Sequence, residues 1–271
     1  MAENPIHMYF VGTAGAGKST LVAAYDRWCK QNGLTTLLVN LDPGAEALPY
    51  QPDVDIRETI DLPTVMEEHG LGPNGAQIAA ADMIALQLPD LIDEIQTYRA
   101  DMVLIDTPGQ VELFVFRLSG KLIVESIAPE QSALIYCLDP YLARTATGFT
   151  SQMMLAATTQ FRFNQPMVHT LTKRDLIDEE SLHIIQAWGE DPMTLENDVL
   201  AEEPSMSREM SAQVTRLLET MGLQNHLVAV TAVEDEGMAD LYTQVQSSLG
   251  GSEDATPEYD TFLPHGQEEA K

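Results

Sequence analysis

Lysine is nearly absent: Lys18, Lys30, Lys121, Lys173 and Lys271 are the only five, and with arginine they bring 14 basic side chains against 42 acidic ones. The formal charge of -28 repels phosphate backbones and anionic membrane surfaces, so direct binding to nucleic acid or to a membrane is not expected. Cysteine is equally sparse. Cys29 and Cys137 both lie in apolar stretches, which gives a disulfide framework or a zinc site no support and reads as two buried thiols in a reducing compartment. No run reaches the ~18 apolar residues of a membrane span, and Met1 to His7 lacks a basic region followed by an apolar core. A soluble, cytoplasmic protein is expected.

The chain has 271 residues, 44% of them hydrophobic, enough for one sizeable domain. Short apolar runs bounded by turn residues alternate with helical patterns, the signature of an α/β fold: a mostly parallel sheet with helices on both faces. Strands are predicted at Ile6 to Val11, Thr36 to Leu41, Met102 to Ile105, Ala133 to Leu138, Met167 to Leu171 and Leu227 to Thr231. A first helix from Lys18 to about Gln31 places Leu21, Tyr25, Trp28 and Cys29 on one core-facing side. Residues 43–100 and 178–222 are longer than plain crossovers and read as helical insertions in a domain spanning 1–249. Residues 250–271 turn polar and acidic without periodicity, as a disordered tail would. Tyr259, Phe262 and Leu263 within it read as part of a loose end.

Gly12-Thr-Ala-Gly-Ala-Gly-Lys-Ser19 fits the phosphate-binding loop of P-loop NTPases and sits between a predicted strand and helix, where the mechanism needs it. The backbone of Gly12, Ala14, Gly15, Ala16 and Gly17 would turn amides toward phosphates, with Thr20 in the first helical turn. Lys18 would bridge the terminal phosphates and Ser19 would ligate Mg2+. Met102-Val-Leu-Ile-Asp106 ends a strand in an acid that would hold the same ion from the opposite side. The run continues as Asp106-Thr-Pro-Gly-Gln110, a DxxG switch in which the Gly109 amide approaches the γ-phosphate and Gln110 orients the attacking water. Asp42, at the end of the second strand, reads either as a turn initiator or as a holder of that water or of a metal-bound one.

Thr172-Lys173-Arg174-Asp175 fits the [N/T]KxD pattern that reads guanine. The Asp175 carboxylate accepts from two base N–H groups while the Lys173 stem lies along the ring. Adenine would leave that carboxylate unpaired. Ala232, after the last strand, is where a backbone amide would meet the guanine oxygen. GTP is thus the expected substrate and GDP the product.

These motifs, together with Asp42-Pro43, Ile56-Arg57-Glu58, Val65-Met-Glu-Glu68 and Leu71-Gly-Pro-Asn-Gly75, make the chain similar to the archaeal members of the GPN-loop GTPases. The resemblance extends to about Leu249, and Gly72-Pro73-Asn74 is its most specific element. It implies a homodimer in which the inserted loop of one subunit reaches the phosphate region of the other, and it links eukaryotic members to RNA polymerase assembly. Gln77 to Gln87 departs from it, being Ala-rich and polar where a more aromatic segment is expected. Read from residues alone, Gly70 would stop one helix, Pro73 would lie in the turn and Asn74 would cap the next. With no evident arginine finger elsewhere, Asn74 is also the candidate for a group donated in trans to the γ-phosphate or the water. The functional readings are a GTPase switch serving a protein client, a nucleotide-gated assembly factor with incidental hydrolysis, or a P-loop kinase; Gln110 and the base motif favour water as the acceptor.

The acid excess is spread along the whole chain. Such a surface suits a high-salt cytoplasm, where screening removes self-repulsion, although thirteen methionines fit an ordinary acidic protein better. The high-salt reading requires the unfolding midpoint to rise between low and molar KCl, and greater stability in low salt would exclude it.

Overall fold

The computed structural model describes residues 5–221 and 227–250. In chain order these form β1 (Ile6–Gly12), α1 (Lys18–Gln31), β2 (Thr36–Asn40), β3 (Val54–Asp55), α2 (Leu62–His69), α3 (Pro73–Thr97), β4 (Met102–Asp106), α4 (Val111–Phe114) and α5 (Leu118–Ser126). The second half continues with β5 (Ser132–Leu138), α6 (Ala146–Phe163), β6 (Met167–Leu171), α7 (Glu179–Glu190), α8 (Pro192–Ala201), α9 (Met206–Thr220), β7 (Val228–Ala229) and α10 (Met238–Leu249). Seven strands make one parallel sheet in the order β3-β2-β4-β1-β5-β6-β7.

The central strands are unbroken apolar runs because both faces of the sheet are covered. Successive side chains point to opposite faces, so β1 divides its residues between two cores. Tyr9 and Val11 join the larger core with Leu37, Val39, Leu134 and Tyr136, under the helices from α2 to α9. Met8 and Phe10 join the smaller one with Leu21, Tyr25 and Cys29 of α1 and Met238, Leu241 and Val245 of α10. Cys29 and Cys137 are buried, as expected of packing thiols. Trp28 is half-buried, its ring stacked on Tyr25 with centroids 5.6 Å apart.

Two local details depart from the sequence reading. The stretch between β2 and β4 is not purely helical, since it adds β3 to the edge of the sheet, with Val39 opposite Val54 and Asn40 opposite Asp55. Two residues are too few for any periodicity to announce them. Side chains secure this edge instead: the Asn40 Nδ2 donates to Asp55 Oδ1 at 2.8 Å, and Arg57 pairs with Asp55 at 2.6 Å while donating to Ala45 O at 2.8 Å. The second correction concerns Asn74, which does not cap α3. Gly70 does end α2, with φ of 61°, but Gly72 is the N-cap of α3 and Pro73 occupies its first turn. Proline has no N–H to lose there and its fixed φ already suits a helix, so the helix begins before Asn74 and leaves it exposed.

Strand β7 is shorter than expected, although Val230 N still donates to Leu171 O at 2.8 Å. The tail with Tyr259, Phe262 and Leu263 lies outside the described residues. Among the described residues, no helix is long and apolar enough to cross a membrane.

His7 on β1 and His169 on β6 are buried, and burial lowers each imidazole to about 4. Both are neutral in folded and unfolded chains above their ordinary pKa of 6.5. Below it the unfolded chain takes up protons that the folded one refuses, so stability falls with decreasing pH between about 6.5 and 4. Denaturant melts at pH 7.5 and pH 5 should show this loss, and His169→Gln should flatten the slope.

Candidate nucleotide site

Strand β1 lies between β4 and β5, and the chain leaves their carboxyl ends in different directions, which opens the crevice where ligands of such sheets bind. The Gly12–Ser19 loop fills the floor of this crevice. At Gly12 a Cβ would lie 2.6 Å from the Cys137 carbonyl oxygen, so β1 and β5 approach as closely as they do only because no side chain is there. Gly17 has φ of 91° and caps α1, a conformation that side chains rarely adopt.

Lys18 opens α1 and turns back under the loop. It is 5% exposed, and its ammonium donates to Gly12 O at 3.0 Å, Thr13 O at 3.1 Å and Gly109 O at 2.9 Å. Burial lowers its pKa, while the carboxylates of Asp106 and Asp42 act in the opposite direction.

The peptide of Gly109 is gripped from both ends. Its carbonyl accepts from Lys18, and its N–H donates to Asp42 Oδ2 at 2.8 Å. Asp42 is itself fixed by Asn40, whose Oδ1 accepts from Asp42 N at 3.0 Å, and its Oδ1 accepts from Gly44 N at 2.9 Å. Next along the chain, Gln110 is the N-cap residue of α4, and its Nε2 donates to Gln77 Oε1 on α3 at 3.1 Å.

Asp106 is fully buried at the end of β4. Its Oδ2 accepts from the Tyr50 hydroxyl at 2.9 Å, while Oδ1 has no hydrogen-bond partner. Burial pushes the carboxyl up to about 6, with Ser19, Tyr50 and Lys18 pulling it down. A buried carboxylate oxygen without a donor, beside a serine hydroxyl, suits a hard cation that prefers oxygen ligands. Ser19 and Asp106 therefore fit Mg2+.

The base-reading segment is bonded to the phosphate loop. Thr172 Oγ1 donates to Ala16 O at 2.6 Å and to Leu138 O at 3.0 Å. Lys173, at φ of 53°, donates to Gly15 O at 2.5 Å and pairs with Asp139 at 2.9 Å. The Asp175 Oδ1 accepts from Thr231 Oγ1 at 2.8 Å, and the Ala232 carbonyl accepts from Arg27 of α1 at 2.9 Å. Four separated segments thus hold one another across the crevice mouth.

Of the residues expected from sequence, Gly12 to Ser19, Asp42, Asp106, Gly109 and Gln110 gather at the phosphate end. Thr172 and Lys173 lie against Ala16 and Gly15, while Asp175 is bonded to Thr231 and Ala232 to Arg27. Thr20 is an exposed residue of the first turn of α1. Asn74 is exposed and its side chain meets no hydrogen-bond partner among the described residues, although Gln77, one turn further along α3, meets the switch. Tyr50, Gln77 and Asp139 were missed. Tyr50 and Asp139 follow strand ends at distances no motif specifies, and Gln77 lies in a segment whose polarity looked merely unusual. That polarity was the available signal.

Residues 10–251 match the family described as "Conserved hypothetical ATP binding protein". The chain is 31% identical over 236 residues to a GPN-loop GTPase of Pyrococcus abyssi, spanning 86% of this chain and 93% of that protein. Over 246 residues it is 28% identical to GPN-loop GTPase 1 of Dictyostelium discoideum, covering 90% of this chain but 61% of the relative's length. The crystal structure of the Pyrococcus abyssi GTPase in its apo form superposes with a TM-score of 0.82 at 29% identity, covering 91% of this chain and 98% of that one. The phosphate loop, the switch peptide and the Gly72-Pro73-Asn74 insertion thus sit in a fold shared with these relatives, and the chain belongs to the GPN-loop GTPase family.

Proposed function

We propose that this protein binds GTP with Mg2+ and hydrolyses it to GDP and phosphate as a homodimeric switch that acts on a protein client. The observation that carries the proposal is the double grip on the Gly109 peptide, because it makes the phosphate loop and the switch compete for the same lysine. A γ-phosphate draws the Lys18 ammonium toward its own oxygens and weakens the bond to Gly109 O. The Gly109 N–H, now held by Asp42, is the amide that would turn to the phosphate. Gln110 and α4 follow this peptide directly, so nucleotide state is passed to α4 and to the helices packed on it.

In this reading Ser19 and Asp106 hold Mg2+, which neutralises charge on the phosphate oxygens when bound. Asp42 and Gln110 orient the attacking water, with Gln110 Oε1 as an acceptor for its proton. Asp175 selects guanine, and Thr231 keeps its carboxylate turned to the base.

Exposed apolar side chains support self-association next to the inserted loop. Ile78 and Leu86 on α3 and Leu118 and Leu122 on α5 are all exposed, on two helices that pack against each other. Burying such side chains against a second copy would contribute about 25 cal/mol per Å2 of apolar area, and a dimer made there would bring the start of α3 near a partner. Assembly of a protein complex is the client process that the family resemblance suggests.

Asp175→Asn should reduce the preference for GTP over ATP by at least about tenfold, since the amide no longer demands two donors from the base. Competition binding with GTP, ATP and XTP reads this directly.

Asn74→Ala should bind GTP normally and hydrolyse it about a hundredfold more slowly, as when one preorganised donor is removed. Mixing it with Lys18→Ala should restore part of the turnover, because the heterodimer joins an intact phosphate loop to an intact Asn74. Heterodimers confirmed by mass that gain no activity would remove the trans mechanism. Since Asn74 is not a helix cap, its loss should leave the melting temperature in place.

A further inference from the structure

We infer that Gln77 is the positioning residue of Gln110: it fixes which end of the Gln110 amide faces the attacking water. The inference rests on the proposed role of Gln110. An amide that orients water must present its oxygen, yet the two ends of a glutamine side chain are nearly equal in shape, and only hydrogen bonds tell them apart. Here Gln110 Nε2 donates to Gln77 Oε1 at 3.1 Å. With its nitrogen so engaged, Gln110 has its oxygen left to accept from water.

Gln77 is itself polarised. A Cβ built on Gly44 would lie 3.3 Å from both Gln77 Nε2 and Asp42 Oδ1, so the NH2 end of Gln77 and the Asp42 carboxylate are neighbours across this glycine. The negative carboxylate favours the NH2 end on its side and turns Gln77 Oε1 toward Gln110. The direction of dipoles therefore runs from Asp42 through Gln77 to Gln110, and Asp42 also holds the Gly109 N–H immediately before Gln110. Asp42 thus bonds the backbone just before Gln110 and lies on the side of Gln77 away from the Gln110 contact.

The position of Gln77 extends the consequence beyond the site. It lies three residues after Asn74 on α3, and Ala76 and Ala80 beside it are fully buried, which seats this turn of the helix closely on the core. That seating holds the Gln77 amide at a fixed place beside Gln110, one turn from the exposed start of α3. The inserted helix would then carry both residues, Gln77 holding the water-orienting glutamine of its own subunit and Asn74 serving the other.

The test is a double-mutant cycle on the full chain, with Gln77→Ala, Gln110→Ala and the pair, reading GTP affinity, single-turnover hydrolysis and melting temperature. Gln77→Met, which keeps the length of the side chain, serves in parallel should Gln77→Ala lower the melting temperature. Replacing Gln77 should slow hydrolysis about fivefold, the effect of one neutral hydrogen bond, with GTP affinity unchanged. It should have no further effect once Gln110 is alanine. Hydrolysis at the wild-type rate in both Gln77 variants, while Gln110→Ala is slow, would overturn this inference alone. So would a Gln77 loss that persists in full in the Gln110→Ala background, or a loss matched by weaker GTP binding. A wild-type rate for Gln110→Ala would instead remove the role of Gln110, and this inference with it.

Discussion

The three N–H donors of the Lys18 ammonium meet three carbonyl oxygens, from Gly12, Thr13 and Gly109, and much of the site's arrangement follows from this match. A buried cation is costly unless its donors are satisfied. Two of the acceptors belong to the phosphate loop and are near in sequence, so that loop must curl around its own lysine. The third belongs to the switch, 91 residues away. Satisfying one side chain therefore joins the ends of β1 and β4 and brings the switch glycine beside the phosphate loop.

The acids around this cation take different tasks from their surroundings. Asp42 is half-exposed, and its oxygens accept from the backbone N–H groups of Gly44 and Gly109, so it organises the loops around the place proposed for the water. Asp106 is fully buried and has one oxygen without a donor, both of which suit a metal ligand. Asp55 is occupied by Asn40 and Arg57 and secures the sheet edge on which the loop after β2 rests.

The segment proposed to read the base is built by the same economy. Thr172 and Lys173 bond to carbonyls of Ala16 and Gly15, while Asp175 takes its hydroxyl donor from Thr231. Residues 172–175 and the Gly12–Ser19 loop are thus one bonded unit, so a nucleotide held by one would be held in register with the other.

The sequence by itself determined the central strands, the first helix, the order of the nucleotide motifs and the family. Parallel strands covered on both faces are written as unbroken apolar runs, and the motifs are local because backbone turns around phosphate need glycine at fixed spacing. Tertiary structure decided what depends on side chains meeting from distant segments. Strand β3 forms because Asn40 and Arg57 hold Asp55, Tyr50 reaches Asp106 across 56 residues, and Gln77 meets Gln110 across 33. Asn74 lost its expected capping role because Pro73 starts the helix two residues earlier and the cap moves to Gly72, a competition between neighbouring residues that composition alone leaves open. Such pairings carry no periodicity and no motif, since each is fixed by the angle at which two elements cross and not by the spacing of residues within either one.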